Sequence, residues 1–144
     1  MKRLFPALYL LAVLFSGCRY DEPSFSLNSP ENRLIGYWLL QVVEKNGEKI
    51  TDPGEYFANK PGNYYSFFFD GPFAVTTMVD KLPIESVKGI WILTDKNRKL
   101  DINFTLKNRE YIYIADIIKL SNKELKYKYI DSEGNKWYLE MYKR

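Results

Sequence analysis

The chain has 144 residues, 46% hydrophobic and 17% aromatic, which is enough apolar material for one domain with a single packed core. Its 21 Lys and Arg residues are nearly balanced by 18 Asp and Glu and form no dense basic run, so no nucleic-acid footprint is expected. With no histidine and one cysteine, the chain cannot build Ser-His-Asp or Cys-His catalysis, a histidine-held metal or an internal disulfide.

Lys2 and Arg3 precede an uncharged apolar run at residues 4–15, and the small pair Ser16-Gly17 stands just before Cys18. This is the layout of a secretory signal peptide over residues 1–17, with an apolar run too short to span a bilayer comfortably. Phe15-Ser16-Gly17-Cys18 resembles a bacterial lipoprotein lipobox, with Phe15 where leucine is usual. The resemblance implies cleavage before Cys18, a diacylglycerol on its thiol and an acylated amino group. The alternative is a secreted protein with a stray cysteine. Two or three acyl chains give stable anchoring, each buried methylene contributing about 0.8 kcal/mol. The implied location is the bacterial outer membrane, lipid-anchored and facing the periplasm or the cell surface. Loss of Lys2 and Arg3 would leave the mature chain almost neutral.

Residues 18–32, with Pro23, Pro30 and several serines, read as a flexible tether. Asp21-Glu22 resemble the acidic surface-export signal of lipoproteins of the Bacteroidetes-type outer membrane, or are simply polar linker. The barrel domain is expected over residues 33–144. A first strand is predicted at residues 34–44, with Trp38, Leu40 and Val42 on one face, and Asn46-Gly47 is a strong hairpin turn. Residues 51–63 carry prolines and glycines without a period and read as a loop or short helical cover, the kind of long connection that is often functional. Tyr65, Phe67 and Phe69 then share a face, Asp70-Gly71-Pro72 turns, and residues 73–79 return as a β-branched strand.

After Pro83 a strand at residues 86–93 carries Gly89-Ile90-Trp91, followed by a turn at residues 95–98. Leu100, Ile102, Phe104 and Leu106 alternate strictly with polar residues, the clearest half-buried strand in the chain. Residues 110–120 are apolar on both faces, which predicts a bend. Leu125, Tyr127 and Tyr129 alternate with lysines, and after a turn at residues 132–135 Trp137, Leu139 and Met141 form the last inward set. About eight short strands with hairpin-sized links predict an all-β, antiparallel up-and-down barrel, with a β-sandwich as the alternative. Closure is preferred because it leaves no exposed edge.

The lipobox cysteine, Gly36-x-Trp38, Asp70-Gly71-x-Phe73, Gly89-x-Trp91 and Leu125-x-Tyr127-x-Tyr129-x-Asp131…Gly134 together resemble the lipocalin-like lipoproteins of Bacteroidetes-type bacteria. The resemblance implies a small lipocalin-like barrel on a lipid anchor. It also implies that Gly36 and Trp38 plug one barrel end under a cation from the last strand, Lys143 or Arg144. The lipocalin Thr-Asp-Tyr motif is not kept, since Thr94-Asp95 is followed by Lys96.

No enzyme, metal or cofactor is expected. The leading reading is a barrel that binds a small hydrophobic or amphipathic molecule among inward aromatic residues, namely Phe67, Phe69, Trp91, Phe104, Tyr127 and Tyr129. The competing reading is a non-catalytic module that meets an envelope protein partner through its outer surface, with Tyr37, Leu39, Tyr138, Tyr142 and the loop at residues 51–63. Interior volume separates them. A dry, filled core favours the interaction module, and an open, mouth-accessible cavity of roughly 300 Å³ or more favours ligand binding.

Overall fold

A computed structural model describes residues 28–54 and 56–144. The signal peptide, Cys18 and the tether up to residue 27 lie outside the described residues. The first element among the described residues is a single helical turn, α1 (Pro30–Leu34), where the sequence predicts strand from residue 34. Proline at the start of the turn fixes a helical φ, and the Ser29 side chain accepts the Asn32 N–H, so the local chemistry favours a helix start. Leu34 and Arg33 are buried against the barrel, and α1 begins at Pro30, within the segment that the sequence reads as tether.

The strands follow as β1 (Gly36–Lys45), β2 (Glu48–Lys49), β3 (Tyr64–Phe67), β4 (Pro72–Val79), β5 (Leu82–Thr94), β6 (Lys99–Leu106), β7 (Arg109–Leu120), β8 (Glu124–Ile130) and β9 (Lys136–Lys143). Each pairs antiparallel with its neighbour, and β1 pairs with both β3 and β9. The sheet therefore closes, with β2 a two-residue flap on β1. The result is an eight-stranded antiparallel up-and-down barrel, and closure rules out the sandwich. At this strand number the interior is just wide enough for side chains to fill.

Inward positions carry the aromatic and aliphatic residues, and two bulges correct the simple alternation. In β1 the register with β9 shifts between Leu40 and Val42, so Trp38 and Leu40 are followed inward by Val43 and not by Val42. In β7 the register with β8 shifts between Ile117 and Lys119, which carries the inward phase from Ile117 to Leu120 and is the bend predicted there. An extra residue in one strand flips every later side chain to the other face. β5 and β6 approach closely at Gly89, where a Cβ would stand 2.3 Å from the Asn103 carbonyl oxygen. Among the described residues, sheet closure, both end covers and the core form one closed unit within residues 28–144.

Candidate functional site

One barrel end is shut by the predicted plug. The Trp38 indole donates to the Leu34 carbonyl at 2.7 Å, fixing α1 beneath the barrel. Lys143, and not Arg144, supplies the cation. Its Nζ donates to the Arg33 carbonyl at 2.7 Å and lies 5.1 Å from the Trp38 ring centroid. Gly36 has φ +135°, and a Cβ there would meet Lys143 Cε at 2.6 Å, so glycine both adopts the conformation and clears the lysine's path. Arg33 closes the same end by donating to the Asn28 and Leu120 carbonyls. Burial lowers the Lys143 pKa, the charge being held by a carbonyl and a ring face with no carboxylate partner.

The opposite end is covered by the long loop after β2. A 3-10 turn (Phe57–Asn59) drops Ala58 and Asn59 into the barrel mouth, where both are fully buried. Three strands hold them through tyrosine hydroxyls. Ala58 N–H donates to Tyr111, Tyr65 donates to the Ala58 carbonyl, and Asn59 Nδ2 donates to the Tyr129 hydroxyl at 2.7 Å. Tyr56 packs on Trp137 with centroids 4.8 Å apart, and the Arg109 guanidinium stacks over its outer face at 3.7 Å while binding Glu133. Burial and the adjacent Asp131 carboxylate push the Tyr56 hydroxyl up to about 12. Burial alone would raise the Asp131 pKa, but donation from the Trp137 indole at 2.8 Å and from Asn135 holds this carboxyl well below the usual range.

Between these covers the barrel is packed ring against ring. Phe67 contacts Phe73 and Trp91, Phe73 contacts Phe104, and Phe104 stacks on Tyr111 at 4.6 Å. Tyr113 stacks on Tyr129 at 3.7 Å, and the Tyr113 and Tyr127 hydroxyls pair at 3.1 Å. Of the six residues expected to line a ligand, Phe67, Trp91, Phe104, Tyr127 and Tyr129 point inward as predicted and are buried. Phe69 does not. It is 74% exposed, because β3 ends at Phe67 and residues 68–71 turn with Asp70 at positive φ. The five inward rings contact other core rings, so they occupy the volume that a ligand would need. Trp91 also stitches the turn to the wall, its indole donating to the Phe68 carbonyl.

The outward tyrosines are partly engaged as well. Tyr138 and Tyr142 both donate to Glu140, which also binds Lys126. Tyr37 remains exposed, edge-on to Phe68 at 6.2 Å, and Leu39 is half-buried.

A contiguous exposed apolar feature lies elsewhere, on the outer wall formed by β5, β6, β7 and β8. Ile90, Ile92, Ile112, Ile114 and Ile130 are 59–64% exposed, on strands whose alternate residues fill the core. Cross-strand register sets Ile90 opposite Asn103 opposite Ile112, and Ile92 opposite Asp101 opposite Ile114. Short polar side chains on β6 therefore lie between isoleucine ridges on β5 and β7. The groove has a volume of about 1290 Å³ and runs from the Asp70-Gly71-Pro72 turn to the Asp131–Lys136 end of the β8–β9 connection. Contiguous apolar surface of this kind makes the outer wall a candidate contact site. The sequence held a signal for it, since Ile90 and Ile92 flank Trp91, and Ile112 and Ile114 flank Tyr113. Such two-sided apolar strands need a reason when one face is solvent.

No protein-family model matches the chain, and no curated protein matches it. Among solved structures, an uncharacterized protein from Bacteroides eggerthii is similar over 77% of this chain and 99% of its own, at 16% identity and a TM-score of 0.51. A lipocalin-like protein from Bacteroides uniformis is similar over 74% of this chain and 96% of its own, at 15% identity and a TM-score of 0.48. At these identities the likeness is one of fold.

Proposed function

We propose that this protein is a lipid-anchored, non-catalytic lipoprotein of the bacterial outer membrane that binds a small hydrophobic or amphipathic molecule on the outer wall of its barrel. The observation that carries the reading is the exposed isoleucine groove over an interior already filled by the chain's own rings. Large apolar residues in a concave surface with a few polar groups suit an amphipathic ligand. The anchor is read from the lipobox around Cys18, and the outer membrane from its likeness to lipoproteins of that envelope. A protein partner covering the same isoleucine face is the second reading, favoured by the even exposure of isoleucines across three strands.

The test uses residues 28–144 and the neutral probe N-phenyl-1-naphthylamine. Micromolar binding is expected, weakened about tenfold by the double substitution Ile112→Ser and Ile114→Ser, each of which removes exposed apolar area from the groove. Unchanged binding in that variant would sink the outer-wall site. Absence of binding to the probe together with photo-crosslinking from position 114 to an envelope protein would favour the partner instead. Cys18→Ser in the full chain should shift the protein from the membrane fraction to the soluble fraction.

A further inference from the structure

We propose that the outer-wall groove selects a cationic amphiphile, an aliphatic chain bearing an ammonium group, over anionic or neutral amphiphiles. This deepens the outer-wall reading and rests on it. The selecting group is Asp101. Its side chain stands on the outer face of β6 between Ile92 and Ile114 in the cross-strand row. Asp101 accepts one hydrogen bond, from the Thr94 hydroxyl at 3.0 Å. An ionised carboxylate offers about four acceptor positions, so capacity for a further donor remains. One residue pair further along β6, Asn103 lies between Ile90 and Ile112 and adds a carboxamide oxygen.

Among the described residues, Asp101 forms no ion pair. Lys99, Asp116 and Lys128 lie together in an adjacent row, with Lys99 Nζ 2.8 Å from Asp116 and Lys128 in register with Asp116. Asp131 is taken up by Trp137 and Asn135, and Lys136 stands beside it at the far mouth. Asp70 lies at the opposite mouth. Lys128 stands one row from Asp101, in register with Asp116, and Lys136 lies at the far mouth, so in the Ile92–Asp101–Ile114 row itself a carboxylate stands between two aliphatic side chains. Apolar neighbours thin the water around that carboxylate, which strengthens its attraction for a cation and its repulsion of an anion. An ammonium placed there would take Asp101 and Asn103 as acceptors while its alkyl chain lies along the isoleucines.

The experiment compares dodecylammonium, dodecanol and dodecanoate below their micellar concentrations, titrated calorimetrically into residues 28–144. Dodecylammonium is expected to bind about tenfold more tightly than dodecanoate, with dodecanol between them, the size expected of a partly exposed charge contact. Asp101→Asn, isosteric and on the surface, should bring the dodecylammonium and dodecanoate affinities together. Equal or tighter binding of dodecanoate, or a preference that survives in Asp101→Asn, overturns the proposal while leaving the outer-wall site standing. If none of the three binds, the outer-wall site falls and this proposal with it.

Discussion

At the residue scale, each tryptophan joins its ring to the core and its N–H to a connecting segment. Trp38 holds α1, Trp91 holds the β3–β4 turn, and Trp137 holds Asp131 in the β8–β9 connection. A buried indole needs such an acceptor, and leaving it without one costs about 1–3 kcal/mol. Asp131 is the one acceptor among them that titrates. Its folded pKa lies below the unfolded value of about 3.9, so its contribution to stability is present above that pH and is lost as pH falls towards the folded value. Asp131→Asn should therefore lower the melting temperature at pH 7 and flatten the fall in melting temperature between pH 4 and pH 2. Thermal melts across that range check it, and a variant whose acid slope matches wild type would show that Asp131 is not the group responsible.

At the element scale, the loop over the barrel mouth is held by tyrosine hydroxyls from β3, β7 and β8 and, at its end, by backbone hydrogen bonds of Gly62 and Asn63 with Leu40 in β1. Asn59→Ala removes the carboxamide that donates to Tyr129 and leaves that hydroxyl with one partner fewer. The expected loss is about 1–2 kcal/mol, because a buried hydrogen bond is broken. It should appear as faster amide hydrogen exchange at residues 56–63 with the strand amides of β6 and β7 still protected. Uniform acceleration across the barrel would mean that the loop is part of the global fold and not a separately held cover.

The same elements show what could be read in advance. β6 was legible residue by residue, because Leu100 through Leu106 alternate without interruption and one face is buried. The closing plug was legible in its glycine and tryptophan, though nothing in the sequence chose between Lys143 and Arg144; only the register of β9 on β1 does so. Bulges defeated the simple pattern, moving Val43 inward in place of Val42. The end of β3 at Phe67 sent Phe69 into solvent, since alternation alone does not say where a strand stops. Local capping by Ser29 and Pro30 outweighed the apolar run that made residue 34 look like strand.

At the scale of the whole molecule, the aromatic residues that suggested a ligand chamber fill it. Their burial leaves the interior filled, and the isoleucine face of β5 to β8 is a contiguous part of the apolar surface that remains exposed. The outer site escaped sequence reading because inward and outward faces were equally apolar there, and period alone cannot say which face meets the core. The central claim is that binding occurs on the outside of a filled barrel. Isoleucine δ1-methyl NMR tests it most directly, because Ile90, Ile92, Ile112, Ile114 and Ile130 report the outer wall while buried Ile102 and Ile117 report the interior. On titration with dodecylammonium the account predicts saturable shifts at the five outer methyls, with Ile102 and Ile117 unmoved. Shifts centred on Ile102 and Ile117 with the outer methyls silent would place the ligand inside the barrel and contradict it.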